Sequence, residues 1–251
     1  MKKRYTFKTK TKNNKRRPIK QSGGSVDTIA LCIPMDASDI SMLPFCLKSV
    51  KEQTKAPDSI YMSISGVTPE SEAAIKKIIT DSMIPNINVN FRPDKILAGG
   101  NRNLAATAAS STGKATILSF MDSDDAMHPR RIERLFDIFK NLSITGVVHS
   151  YIDGKKANAA TDVILPWKPI TGEVLTDGIS VNAGDPYRTI MPKHDMTPIA
   201  NGHVSVRADF FKDHPYSETL AMGEDQEFNA SILSNGKILA LTPDTLSVYY
   251  R

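Results

Sequence analysis

Ala115-Thr116-Ile117-Leu118-Ser119-Phe120-Met121-Asp122-Ser123-Asp124-Asp125 is the stretch on which the fold turns. Its first seven residues are mostly apolar, the pattern of a strand buried on both faces. Its last four are polar, and three are carboxylates. Ligands of open α/β sheets bind beyond such strand ends, so the acids stand where a site is expected. Three carboxylates in four residues repel one another unless solvent or a cation relieves them. Hard oxygen ligands suit Mg²⁺ or Mn²⁺, with a phosphate completing the shell. A plain turn running into a helix N-cap explains the same residues, because Asp is favoured there and Pro129 starts a helix just beyond.

Upstream, strand and helix patterns alternate. Residues 28–34 form a short apolar run closed by Pro34. Residues 42–53 carry Leu43, Leu47 and Val50 at helical spacing. A second strand covers 60–64 and ends at Ser65-Gly66. Pro69 opens a helix with Ile75, Ile78 and Ile79 on one face. Residues 87–91 alternate as a strand, and Gly99-Gly100 leads into a helix over 101–111. Downstream, 129–139 reads as an amphipathic helix and 145–151 as a strand. The repeat predicts an α/β fold: an open, mostly parallel sheet with helices on both faces. Residues 153–198 break the pattern and hold the only tryptophan, Trp167. Irregular segments of that length are often lids or binding loops, which assigns Trp167 to substrate binding. Order resumes at 203–206. A helix follows Gly223-Glu224-Asp225, and 237–241 and 245–250 read as closing strands.

The 251 residues are enough for one large domain. The net charge of +5 belongs to one end. Residues 1–20 hold ten Lys or Arg and no acid, while the rest has 22 basic against 27 acidic residues. Residues 1–25 therefore read as a disordered basic tail, either a solubilising arm or a weak polyanion contact. Residues 26–251 read as one domain, with a nucleotide-binding half over 26–152 and an acceptor-binding half over 153–251. No apolar run is long enough to span a membrane, and no apolar segment follows the N-terminal charges. Two cysteines, Cys32 and Cys46, cannot build a disulfide framework, and a cytoplasmic location is expected.

Two more groups carry candidate chemistry. Glu224 and Asp225 open an apolar-periodic helix. Either they offset its dipole, or one of them is a general base kept ionised by the helix N-terminus. Arg102 and Asn103 follow the Gly-Gly pair at a helix start, an arrangement that suits an anion.

Taken in order, these segments resemble a GT-A glycosyltransferase of family 2. Ile33-Pro34 resembles the end of the family's first strand. Leu43-Pro44-Phe45-Cys46-Leu47-Lys48-Ser49-Val50-Lys51-Glu52-Gln53-Thr54 resembles its first helix. Gly100-Asn101-Arg102-Asn103 resembles the Gly…Ala-Arg-Asn motif, Phe120 to Asp125 the Asp-x-Asp metal motif, and Gly223-Glu224-Asp225 the acidic pair of the acceptor side. The resemblance implies transfer of a sugar from a UDP- or GDP-linked donor to a hydroxyl of a glycan, glycoprotein or other acceptor. It implies inversion, no processivity, and Mn²⁺ or Mg²⁺ as cofactor. Pro34, Ser65, Arg102, Asn103, Asp122, Ser123 and Asp124 would bind the donor. Asp124, with Asp122, would hold the metal. Asp225 would be the base, and Glu224 and Trp167 would meet the acceptor.

The chain departs from the family pattern at three points. The second strand of the family usually ends in Asp-Asp-Gly-Ser, whereas Ile64-Ser65-Gly66-Val67 has no carboxylate to read a nucleobase. Asn101 stands where Ala is usual. No His follows the Glu-Asp pair, so His194 and His203 are the substitutes for a further metal ligand. Two other classes fit parts of the pattern. A GT-A-like binding protein without catalysis would use the basic tail as its contact. A nucleotidyltransferase would need a Gly-rich basic loop after the first strand, and residues 34–41 lack one.

Overall fold

A computed structural model describes residues 27–156, 167–182, 190–193 and 199–250. The basic tail and His194 lie outside the described residues.

The chain runs β1 (Ile29–Asp36), α1 (Leu43–Lys51), β2 (Ser59–Ser65), α2 (Pro69–Ser82), β3 (Ile87–Arg92), α3 (Ala98–Ser111), β4 (Ile117–Phe120), β5 (Ala126–Met127), α4 (Arg131–Phe139) and β6 (Ile144–Gly154). It continues through β7 (Ile179–Val181), β8 (Ile190–Pro192), β9 (Ser205–Arg207), α5 (Ala208–Asp213), α6 (Glu224–Ser234) and β10 (Ile238–Tyr250). Short 3₁₀ turns cover Ala37–Ser41 and Asn201–His203.

Eight strands form one sheet in the order β3-β2-β1-β4-β9-β6-β10-β5. Strands β3, β2, β1 and β4 are mutually parallel, and β6 is parallel to β10. β9 is inserted antiparallel between β4 and β6, and β5 pairs antiparallel with β10 at the edge. Strand β1 shows why both faces are covered. Ile29, Leu31, Ile33 and Met35 point into one core with α1, α2 and α4. Ala30 and Cys32 point into the other, with α3, α5 and α6. All six are at most 2% exposed. A strand with apolar residues on both sides has no face left for water, so helices must pack on each.

Several element bounds differ from the sequence reading. Helix α3 begins at Ala98, so Gly99 and Gly100 lie in its first turn rather than before it. The reason is packing: a Cβ on Gly99 would stand 2.0 Å from the Ser217 carbonyl oxygen. The glycine is needed for close approach, not for a turn. The two closing strands are one strand, β10, whose register shifts between Thr242 and Ser247. There the buried Asp244 accepts from Thr242, Thr171 and Arg134. β9 has only three residues, too few for period-2 alternation to reveal. Among the described residues, no helix is long and apolar enough to cross a membrane.

Candidate active site

The strand ends of β1 and β4, the start of α3, the turn Asn201–His203 and the start of α6 converge on Asp122. Strand β4 delivers it, and α3 supplies its partner. Arg102, only 4% exposed, donates Nη2 to Asp122 Oδ1 at 2.7 Å and Nη1 to Glu224 Oε1. Its carbon also stands 5.5 Å over the Tyr216 ring. Burial alone would lower the Arg102 pKa, but Asp122, Tyr216, Glu224 and Asp225 outweigh it and hold it above the usual value. The guanidinium is thus a permanent cation that joins β4 to α6.

Gly202 allows this arrangement. A Cβ there would lie 2.8 Å from Arg102 Nη2 and 2.9 Å from Asp122 Oδ2. The backbone of the 3₁₀ turn therefore lies directly against the ion pair.

His203, from the same turn, completes an acidic cluster. Its Nε2 is 2.9 Å from Asp125 Oδ2 and 3.8 Å from Asp122 Oδ2. The Asp122 backbone N–H also points at Nε2, at 3.3 Å. One ring nitrogen cannot both accept from an amide and donate to a carboxylate. With Nε2 accepting from that amide, Asp125 Oδ2 and His203 Nδ1 have no hydrogen bond among the described residues. Asp125 is wholly buried, with Oδ1 accepting from Tyr250 N at 2.8 Å. Burial pushes its carboxyl up to about 6, against the lowering effect of His203. Asp122, Asp125 and His203 each offer a ligand atom within 4.8 Å of the others. A spacing near 3 Å is what two oxygen or nitrogen ligands of a Mg²⁺-sized ion present, given bonds of about 2.1 Å. The donor set and the orphaned buried oxygen both fit a divalent cation.

Asp122 divides two cavities. The first, of about 290 Å³, is lined by Pro34, Asp36, Asp39, Lys95, Asn101, Arg102, Asp122, Ser123 and Asp124, among others. Asp36 pairs with Lys95 at 2.8 Å in it. The second, of about 270 Å³, holds Asp122, Asn201, Gly202, His203, Asp225 and Gln226 against Tyr151 and Tyr249.

The residues singled out in the sequence distribute unevenly over this geometry. Pro34, Arg102, Asp122, Ser123 and Asp124 border the first cavity, and Asp225 the second. Asp124 turns away from the cluster, with Oδ2 2.9 Å from Lys156 Nζ. The acids gathered with a histidine are Asp122 and Asp125, not Asp122 and Asp124. Ser65 does not reach the cleft: it is fully buried, and its hydroxyl accepts from Asn101 Nδ2 at 2.8 Å. Asn101 bonds Ser63 as well, so the residue unusual for the family ties α3 to β2. Asn103 faces away too. It exchanges hydrogen bonds with Tyr216 and donates to Glu218, because the next position on a helix points about 100° around from Arg102. Glu224 is buried on Arg102. Trp167 packs its ring 5.0 Å from His128, near Phe45 and Val248, and borders neither cavity. Its apolar ring fills a satellite core beside the edge strand β5. Asp225 is half-buried, and burial raises its pKa, with Glu224 and Asp122 adding to the rise and Arg102 opposing it. The helix-start field expected to favour the ionised form is therefore outweighed.

Gly202 carries little signal in the sequence, and His203 stands out there only as one of two substitutes for a further metal ligand. A lone histidine usually has a structural role, and nothing local marks a glycine pressed against an ion pair whose members, Arg102 and Asp122, both lie far upstream in the chain.

The model of the family described as Glycosyl transferase family 2 matches residues 31–185. Among solved structures, S. aureus TarS residues 1–349 in complex with UDP matches with a TM-score of 0.60 and 15% identity over 89% of this chain and 60% of that chain. The same segment in complex with UDP-GlcNAc gives a TM-score of 0.60 and 14% identity, over 89% and 58% of the two chains. The chain thus spans about three fifths of those TarS structures. Likeness at this identity is likeness of fold, here a GT-A fold. No curated protein matches the sequence.

Proposed function

The chain belongs to glycosyl transferase family 2, and from that premise and the site geometry we propose that it transfers a sugar from a nucleotide-sugar donor to an acceptor hydroxyl. The observation that carries the reading is Asp122 standing between two cavities, one at the ends of β1 and β4 and one containing Asp225. A reaction that joins two substrates across one bond needs such a shared wall.

The nucleoside diphosphate would occupy the first cavity, its base toward the Asp36–Lys95 pair. Likeness to TarS structures in complex with UDP and UDP-GlcNAc favours a uridine donor. Asp122, Asp125 and His203 would hold the divalent cation, with Asp124 free to join once Lys156 releases it. When bound, that ion supplies charge that stabilises the leaving diphosphate. Asp225 takes the proton from the acceptor hydroxyl as its oxygen forms the new bond to the anomeric carbon. The bond from that carbon to the diphosphate oxygen breaks, and the nucleoside diphosphate leaves with the electron pair. One base on the far face of the sugar gives inversion in a single displacement. Arg102 keeps Asp122 and Glu224 in place throughout, because both carboxylates share its fork.

The test is release of nucleoside diphosphate from UDP-glucose, UDP-galactose, UDP-GlcNAc and GDP-mannose with Mn²⁺ and simple glycoside acceptors. The reading requires release from at least one donor and its loss in Asp225→Asn. No release from any donor by the parent would leave a binding protein.

A further inference from the structure

Behind His203 lies a second buried histidine. His149, on β6, is fully buried, and its ring centroid stands 6.1 Å from that of His203, with the planes at 48°. Its backbone carbonyl accepts from Ala200 N at 2.9 Å, which seats β6 beside the chain entering the Asn201–His203 turn.

The protons on the two rings can be followed. His149 Nδ1 is 2.9 Å from the Ser150 carbonyl oxygen. A carbonyl only accepts, so Nδ1 carries the proton. Burial and the Arg131 charge hold the His149 pKa well below its usual value, so the ring is neutral. Its Nε2 is then a bare acceptor. On His203, a bare Nε2 is what both the Asp122 amide, at 3.3 Å, and a cation require. The proton of a neutral His203 then sits on Nδ1 and makes it a donor. His149 Nε2 and His203 Nδ1 are both buried, and neither has a hydrogen bond among the described residues. Buried polar groups are as a rule paired, and these two are complementary neighbours. A direct N–H···N bond of about 3 Å would bring the centroids to roughly 5 Å, so the link at 6.1 Å needs one buried water.

We propose that His149 is a positioning residue for the cation site: its Nε2 accepts the His203 Nδ1–H through one buried water and so leaves His203 Nε2 bare toward Asp122 and Asp125. Without that acceptor the other tautomer is favoured, in which His203 Nε2 donates to Asp125 Oδ2 at 2.9 Å and offers no lone pair. Groups behind a metal-binding histidine change metal affinity by roughly 10–100-fold. The inference rests on the cation site proposed above and adds the residue that orients one of its ligands. Arg131 is the competing donor for His149. Its Nε and Nη1 are buried without hydrogen bonds among the described residues, while Nη2 donates to the His203 carbonyl at 2.9 Å.

The experiment is long-range ¹H–¹⁵N NMR on histidine-labelled protein in EDTA near neutral pH, with the His203 signals assigned by their loss in His203→Gln. A titration with Mn²⁺ alone follows, read by electron paramagnetic resonance of the free ion. In the parent, His203 should carry its proton on Nδ1. In His149→Phe the proton should move to Nε2, and Mn²⁺ affinity should fall roughly tenfold or more. His149→Gln restores an acceptor oxygen in place of Nε2 and should keep both readings near the parent's. A His203 proton on Nε2 in the parent overturns the inference, whether or not any variant folds. So does a His149→Phe protein in which either reading is unchanged, since His149 would then serve Arg131 instead. A His149→Gln protein no better than His149→Phe overturns it too. A parent that binds no Mn²⁺ removes the cation site, and the inference falls with it. If both readings come out as expected but the parent releases no nucleoside diphosphate from any donor, the transferase reading alone fails.

Discussion

Arg102 donates Nη2 to Asp122 Oδ1 at 2.7 Å, and the same guanidinium holds Glu224. This contact ties the end of β4, where the donor is proposed to bind, to the first turn of α6, which carries the proposed base Asp225. Asp122 and Glu224 are therefore set by one side chain rather than by two independent loops.

Arg102→Met should be severely destabilising. It leaves Asp122 and the buried Glu224 without their cation. Breaking a buried pair by removing one partner costs roughly 3–5 kcal/mol. Urea unfolding of the purified variant reads this directly, and a midpoint equal to the parent's would show that the pair holds nothing.

Asp225→Asn should lower turnover by roughly 10²-fold or more and leave nucleotide affinity within a few-fold. The pH profile gives a second reading. Burial raises the Asp225 pKa, and only the ionised form accepts a proton. Parent turnover should therefore rise with pH through a midpoint above that of an ordinary aspartate, and the variant should lack this rise. A flat parent profile from acid to neutral pH would remove Asp225 as the base.

Gly202→Ala should damage the site and spare the fold. The added methyl would lie within 3 Å of both Arg102 Nη2 and Asp122 Oδ2. The ion pair must shift by several tenths of an ångström, and such misplacement of a catalytic group costs up to about 10²-fold in rate. A variant with a normal melting temperature and a large rate loss is expected. Normal turnover would mean that Asp122 needs no fixed position.

Asp125 makes the metal-free protein sensitive to pH. Its carboxyl is raised from 3.8 to about 6 by burial. Between those values the folded state keeps a proton that the unfolded chain has released, so stability should fall as pH rises through that window. Asp125→Asn keeps an acceptor for Tyr250 N and removes the buried charge. In EDTA the variant should lack this slope and, at neutral pH, melt no lower than the parent. Thermal melts from pH 4 to 7 decide it, and identical slopes for the two proteins would rule out Asp125 as the titrating group.

Much of this was legible in the sequence because it is written in local patterns. The run 115–125 is read correctly as a strand with an acidic end, since burial on both faces leaves a continuous apolar stretch. The acidic start of α6 is legible for the same reason. What could not be read is direction. Asp124 and Asp125 are adjacent and chemically alike, yet one bonds exposed Lys156 and the other lies buried beside His203. Asn103 and Arg102 are adjacent on a helix and point to different partners. Trp167 stands in an irregular segment that reads as a binding loop, yet it packs on His128. Each of these depends on contacts between residues far apart in the chain.

The central claim is that Asp122 anchors a metal-dependent nucleotide site. Calorimetric titration of the parent and of Asp122→Asn with UDP and with GDP, each with and without Mn²⁺, tests it most directly. The account predicts that the parent binds one of the two diphosphates, that binding needs the ion, and that Asp122→Asn loses it while remaining folded. Binding of neither nucleotide to the parent, or equal ion-dependent binding by the variant, would contradict it.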